Sequence, residues 1–408
     1  MKAPVNAPVR MTAAGLAASD LFRQDAFIAG AWRAAEGNAR LDVTDPATGA
    51  VIARVASCSV ADVEAAIAAA DGAWAAWRAL TGKERAAVLR RWFDLILAET
   101  ETLAGILSLE QGKPLPEARG EVAYGAAYVE WFAEEAKRME GTIIPGHRRD
   151  ARILVLRQPV GVVAAITPWN FPIAMIARKV GPALAAGCPV VVKPASATPL
   201  SALALVRLGE RAGLPAGVLS VVPSRNTAAV GRALTESPLV RKVTFTGSTE
   251  IGKVLLRQAA GTVKKVSMEL GGNAPVLVFD DADLDRAVEG TIAAKFRNTG
   301  QTCVCANRIY VQAGIHDRFV AALAAAAGRL TVGPALEGDF DQGPLIDAAA
   351  LGKVEALVAE ATRLADAAET LDQLAAAQEG FDGIELKKGA RNFVFADGNA
   401  KARVLILG

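Results

Sequence analysis

Between residues 161 and 270, short apolar runs alternate with amphipathic stretches of helical period. Val162 to Ile166, Val190 to Val192, Val218 to Val222, Val240 to Phe245 and Lys265 to Leu270 read as strands. Helices are expected over Ile173 to Ala186, Ser201 to Ala212, Thr227 to Leu234 and Thr249 to Ala259. Five strands separated by helices predict a parallel sheet covered on both faces, an α/β architecture. Ligands of such sheets sit at the carboxyl ends of the strands.

The flanking regions are less regular. Ala26 to Trp32 and Val51 to Val55 read as strands, and alanine-rich helices follow from Ser59. Gly141 to Pro145 and Ala151 to Gln158 bracket the basic turn Gly146-His147-Arg148-Arg149-Asp150, which predicts a hairpin that projects as an arm. After Gly272 a second α/β unit begins with a strand over Val276 to Phe279. Asp281 and Asp283 are placed to cap a helix with the stripe Leu284, Val288, Ile292 and Phe296, which leads to Cys303. A long helical pattern starts near Ala348 and gives way to a glycine-rich, charged finish. The expected division is a flexible tail over 1–20, one domain built from 21–138 and 161–270, the hairpin over 139–160, and a second domain over 271–408.

Composition narrows the function classes. The 408 residues suffice for two domains, and 52% hydrophobic with 22% charged residues describe a globular enzyme. A formal charge of +2 gives no electrostatic footprint for nucleic acid. The apolar run Val180 to Val192 is too short for a bilayer and is broken by glycine and proline, so no membrane association is expected. Cys58, Cys188, Cys303 and Cys305 are too few for a disulfide framework, and two histidines argue against zinc. The chain reads as cytoplasmic, with reduced thiols.

The chemistry gathers at a few positions. Cys303, beside Asn298, Gly300 and Gln301, is a candidate nucleophile, although free cysteine is also a common core residue. A short helix starting there would favour its thiolate. With histidine so scarce, the carboxylate of Glu269 is the candidate base; alone it would read as a solvated strand-end acid. Two glycines directly after it permit close backbone approach. Asn170, the only amide side chain in the proline-fixed loop Thr167 to Pro172, is either a turn residue or a donor to a developing oxyanion. Phe245-Thr246-Gly247-Ser248-Thr249 is a strand, a glycine turn and a helix start, an arrangement that binds phosphate. Lys193, with Ser196, ends another strand and is either solvated or a cation at the same edge.

Pro168-Trp169-Asn170-Phe171-Pro172, Lys193-Pro194-Ala195, Phe245-Thr246-Gly247-Ser248-Thr249, Glu269-Leu270-Gly271-Gly272 and Gly300-Gln301-Thr302-Cys303 together resemble the NAD(P)-dependent aldehyde dehydrogenase superfamily. The resemblance runs from about residue 22 to about 354 and is specific, because all of these motifs occur in the family's order. Within the family it is nearest to the succinate-semialdehyde branch, through Lys295 to Asn307 and Met175 to Lys179. It implies a Rossmann-type cofactor domain, a second, catalytic α/β domain and an oligomerisation hairpin. Cys303 would attack the aldehyde, with Asn170 and the Cys303 N–H holding the oxyanion, and Glu269 would activate water to hydrolyse the thioester. Thr167, Trp169, Lys193, Ser196, Gly247 and Ser248 would bind the cofactor. Ser196, where family members that favour NAD carry an acid, implies that NADP is accepted and preferred over NAD. Arg178 and Arg297 match arginines that grip a distal carboxylate, and Cys305 matches a position that forms a redox disulfide with the nucleophile in some relatives. A homo-oligomer is implied.

The chain also departs from the family. No Glu-x-Phe-Gly-Pro motif, whose glutamate holds the nicotinamide ribose, follows Cys303, and residues 379–408 match no family pattern. The second domain is therefore expected to be incomplete at its C-terminal side. The alternative expectation is a catalytically silent NAD(P)-binding or assembly protein.

Overall fold

Continuous apolar runs flanked by amphipathic helices bury strands from both sides, and the computed structural model of this protein builds the middle of its main sheet, though not the edge strand over Lys265–Glu269, from such runs. It describes residues 11–366, 373 and 404–405. The chain divides into two compact units, Met1–Leu270 and Gly271–Gly408.

The first unit opens with α1 (Ala13–Ala17), whose N-terminus is capped by Thr12 accepting from the Gly15 N–H. Leu16 in it is buried, so this stretch is not the free tail expected; residues 1–10 lie outside the described residues. Ala26 to Trp32, expected as one strand, is two. β1 (Ala26–Ile28) and β2 (Ala31–Arg33) fold back on each other because Ala29 and Gly30 take φ of 56° and 83°, the geometry of a tight hairpin turn. β3 (Arg40–Thr44) and β4 (Val51–Ala56) form a separate antiparallel pair. Helices α2 (Val60–Ala79), α3 (Gly82–Ala98), α4 (Thr100–Gln111) and α5 (Leu115–Glu135) follow. Capping boxes start the first two of these, Ser59 with Asp62 and Thr81 with Glu84. The expected hairpin is β5 (Thr142–Pro145) paired antiparallel with β6 (Arg152–Val155), and Ile143, Leu154 and Leu156 on it are exposed.

The parallel strands come next: β7 (Val162–Ile166), β8 (Val190–Lys193), β9 (Leu219–Val221), β10 (Val240–Thr246) and β11 (Lys265–Glu269). Between them run α6 (Pro172–Ala185), α7 (Leu200–Arg211), α8 (Thr227–Glu236) and α9 (Thr249–Ala260). The sheet order is β11-β10-β7-β8-β9-β1-β2. Its last two strands make it mixed, since β1 joins β9 antiparallel through Phe27 and Val221. On one face, Val63, Ile67 and Ala70 of α2 and Val230 and Leu234 of α8 share a core with Ala164, Val191 and Val243 of the strands. On the other, α6 and α7 pack on the sheet and α3 to α5 pack against them. From β7 the chain first moves towards β9, then returns to the other side of β7 for β10. The gap between the carboxyl ends of β7 and β10 is the switch point where such sheets bind ligands.

In the second unit β12 (Ala274–Val278) pairs parallel with β13 (Ala306–Val311). α10 (Leu284–Phe296) is capped by Asp283, not Asp281, through the Arg286 N–H at 3.1 Å. Val288 of α10 packs with Ile309 and Val311 of β13 and with Ile315, Phe319 and Leu323 of α11 (Ala313–Ala327), with Leu284 and Ile292 at the margin. The alanine-rich pattern after 348 forms α12 (Ala348–Asp366), and β14 (Val404–Leu405) pairs antiparallel with β13. The departure from family pattern over 379–408 otherwise lies outside the described residues.

Candidate active site

In the first unit the strand ends gather the residues expected to hold a dinucleotide. Thr167 follows β7 and is buried, with Trp169 and Asn170 half-buried beyond it. Lys193 ends β8, is 5% exposed and donates to its neighbour's carbonyl, Pro194 O, at 3.0 Å. Burial pushes its ammonium down to about 8. Ser196 Oγ donates to Ser224 O at 2.8 Å. Gly247 follows β10; its N–H donates to the Glu269 carbonyl at 3.1 Å, which ties the ends of β10 and β11 together. A Cβ there would lie 2.4 Å from the Phe245 ring. Ser248 caps α9, accepting from Ile251 N at 3.3 Å. Two buried hydroxyls, Thr167 Oγ1 and Thr246 Oγ1, have no hydrogen-bond partner among the described residues. They lie at the ends of the two strands flanking the switch point. A buried cation, orphaned hydroxyls, a glycine without room for a side chain and an α-helix N-terminus fit a dinucleotide's phosphates and riboses.

Glu269, the last residue of β11, keeps a half-exposed carboxylate, and Arg178 Nη2 stands 3.9 Å from its Oε1. The Arg178 guanidinium also lies 5.6 Å from the centre of the Tyr128 ring. Tyr128 and Tyr124 share a hydroxyl–hydroxyl contact of 2.5 Å. Next to Arg178, Lys179 turns inward from α6 to donate to Thr244 Oγ1 of β10 at 3.1 Å, and burial pushes it down to about 8.

Sequence reasoning missed the charged latch at the end of α4. Glu110 accepts from the N–H groups of Leu200 (2.7 Å) and Ser201 (2.8 Å), capping α7, and burial pushes its carboxyl up to about 8. Glu121 of α5 accepts from Ile173 N (2.9 Å) and Ala174 N (3.2 Å), capping α6, which has no cap of its own. Lys113 bridges Glu121 (2.5 Å) and the Asn170 carbonyl (2.8 Å). A signal existed: Glu121 falls on the buried stripe of α5 with Ala118, Val122 and Gly125, where only a partnered charge is tolerable.

The second unit builds the turn that carries Cys303. After α10, Asn298, Thr299 and Gly300 take φ of 53°, 57° and 74° in succession. Two non-glycine residues in the left-handed region store strain, of the sort found at functional sites. Hydrogen bonds hold the loop: Thr299 Oγ1 to Gly343 O (3.0 Å), Gln301 Nε2 to Asn298 O (3.1 Å) and Ile346 N to Gln301 Oε1 (3.0 Å). Cys303 then sits in a turn that leads into β13, and no helix begins there to favour its thiolate. A Cβ on Gly272 would come within 2.6 Å of the Cys303 carbonyl, so the close approach expected of this glycine is made.

Cys303 is partly exposed and Cys305 is buried, both as free thiols. The single Cys305 S–H has two carbonyls in reach, Lys295 O (3.3 Å) and Gly300 O (3.2 Å), and Cys305 Sγ accepts from Thr302 Oγ1 (2.8 Å). Pairing with Cys303 would require Cys305 to leave both carbonyls. Arg297 is exposed after α10. Asn170, Glu269, Arg178 and the candidate cofactor residues thus belong to the first unit, and Cys303, Cys305 and Arg297 to the second.

Known proteins are similar to this chain over most of its length. The sequence profile of the aldehyde dehydrogenase family matches residues 32–378. A glutarate-semialdehyde dehydrogenase of Pseudomonas aeruginosa is 59% identical over 341 residues, covering 84% of this chain and 70% of the relative. An NADP-dependent succinate-semialdehyde dehydrogenase of Escherichia coli is 58% identical over 343 residues, covering 84% and 71%. The crystal structure of an NADP-dependent enzyme of Escherichia coli superposes with a TM-score of 0.83 at 57% identity, covering 84% of this chain and 71% of that one. No helix among the described residues is long and apolar enough to cross a membrane. The chain belongs to the aldehyde dehydrogenase family.

Proposed function

We propose that this NAD(P)-dependent aldehyde dehydrogenase oxidises a short aldehyde bearing a distal carboxylate, succinate semialdehyde or its one-carbon-longer homologue, to the acid. The observation that carries the reading is the accessible Cys303 thiol, held in a turn for which the chain adopts two strained residues and a glycine-only contact at Gly272. Cys303 Sγ attacks the aldehyde carbon to give a thiohemiacetal, and the Asn170 amide with the Cys303 N–H stabilises the oxyanion. A nicotinamide held at the strand ends would supply the hydride acceptor needed to pass from thiohemiacetal to thioester. Glu269 then takes a proton from water as that water attacks the thioester, which releases the acid and restores the thiol.

Lys193, Ser196, Thr167, Trp169, Gly247 and Ser248 hold the cofactor in this reading. The neutral Ser196 leaves the 2′-phosphate of NADP unopposed, so NADP is preferred. Arg178 and Arg297 hold the distal carboxylate, a group that a guanidinium grips with two parallel hydrogen bonds. The relatives are named for oxidising semialdehydes of this kind, and the silent-binding alternative is set aside. The exposed apolar hairpin β5–β6 is the natural surface for assembly with further copies. Four free thiols are in keeping with a cytoplasmic location.

The test is a comparison of kcat/KM for succinate semialdehyde, glutarate semialdehyde and butanal with NADP. A carboxylate preference of more than about tenfold over butanal is expected, since a site built for a polar group rejects the analogue lacking it. Equal values for all three would remove the carboxylate from the reading.

A further inference from the structure

The loop that carries Asn170 is fixed from behind by an ion pair whose two side chains are both fully buried. Lys113 Nζ lies 2.5 Å from Glu121 Oε2, 2.8 Å from the Asn170 carbonyl and 3.9 Å from the centre of the Phe171 ring. The other carboxylate oxygen of Glu121 takes the Ile173 and Ala174 N–H groups. One ion pair therefore holds the backbone on both sides of Asn170–Pro172 and fixes the intervening ring.

Burying two charges is rarely the cheapest way to fill space, because apolar residues of the same volume often do as well. Here the pair answers three backbone groups at once, and the segment it holds includes the proposed oxyanion donor. We infer that Lys113 is a positioning residue for Asn170, with Glu121 orienting its ammonium. The inference rests on the proposed role of the Asn170 amide. With the Asn170 carbonyl and the Phe171 ring both held, the backbone that carries the amide is fixed. Oxyanion stabilisation depends on donors standing in place before charge develops, and a displacement of about 1 Å can cost on the order of 100-fold in rate.

The experiment compares Asn170→Ala, the double variant Lys113→Met/Glu121→Gln, and the two combined, in the full chain. The double variant removes both buried charges together, and the side-chain amide oxygen that Glu121→Gln leaves in place can still cap α6. Turnover of succinate semialdehyde, NADP affinity and thermal midpoint are measured for each. The expected result is a loss of about 100-fold in kcat for Asn170→Ala and about tenfold for the double variant, with NADP affinity unchanged. The combined protein should fall no further than Asn170→Ala alone, because Lys113 acts through Asn170.

Wild-type kcat in a folded double variant, with Asn170→Ala impaired, would overturn the positioning role and leave the oxyanion role standing. Full additivity in the combined protein would overturn it as well, since Lys113 would then act elsewhere. Wild-type kcat in Asn170→Ala would remove the oxyanion role and this inference together. Should the double variant not fold, Glu121→Gln alone is read by the same cycle. A loss of kcat that disappears on the Asn170→Ala background supports the inference, and an unchanged kcat overturns it.

Discussion

Arg178 Nη2 and Glu269 Oε1 stand 3.9 Å apart, with the arginine 30% and the glutamate 56% exposed. A pair so long and so open to water contributes little to stability. Breaking it to engage the proposed substrate carboxylate would cost the fold little. Arg178→Ala should raise the KM for succinate semialdehyde by about tenfold or more while the thermal midpoint stays within a few degrees. Arg178→Lys should recover little, because an ammonium lacks the planar fork. An unchanged KM after Arg178→Ala and Arg297→Ala together would remove both from the carboxylate site.

Lys193 gives the account a pH signature. Burial pulls its ammonium down from 10.5 to about 8, so in the free protein it is a cation below that pH and neutral above it. If it meets the cofactor's phosphates, NADP affinity should weaken as pH rises from about 7 to about 9, bending near 8, and Lys193→Met should flatten the curve. Stability runs the other way. The depressed value costs stability below 8, and that cost is relieved as pH climbs towards 10.5, so Lys193→Met should raise the midpoint at pH 7. Isothermal titration and thermal melts across that range check both.

Ser196 spends its hydroxyl on Ser224 O, which leaves no charge of its own beside the strand end. Ser196→Glu should lower the NADP to NAD ratio of kcat/KM by more than about tenfold, because a like charge now opposes the 2′-phosphate. Steady-state rates with each cofactor decide it; an unchanged ratio would place the 2′-phosphate away from residue 196.

Thiol labelling should be selective. Cys303 is the partly exposed cysteine, while Cys58, Cys188 and Cys305 are buried. Burial also pushes Cys58 up to about 12 and raises Cys188. Limited iodoacetamide followed by peptide mapping should modify Cys303 first and abolish turnover in step with it. Loss of activity that tracks another cysteine would contradict the assignment.

The middle of the parallel sheet was legible because Val162–Ile166 and Val190 to Val192 are apolar throughout and flanked by glycine and proline, whereas Lys265–Glu269 shows only a polar–apolar alternation. Val162–Ile166 falls where the apolar run places it. Features that depend on partners distant in sequence were not. Nothing local in Ala26 to Trp32 announces that Ala29 will adopt a left-handed conformation, or that β1 will pair with β9. The same holds for Asn298 and Thr299, whose positive φ turns the chain into a strained loop. Lys113 and Glu121 could be suspected from their place among apolar residues, but the carbonyl they hold is 57 residues from Lys113.

The central claim is that Cys303 carries NADP-linked oxidation of a semialdehyde. The most direct measurement follows NADPH absorbance on mixing the full chain with succinate semialdehyde, for the wild type and for Cys303→Ala. Turnover is expected in the first and none in the second, with NADP binding retained by both. Equal turnover in Cys303→Ala, or none in a folded, NADP-binding wild type, would contradict it.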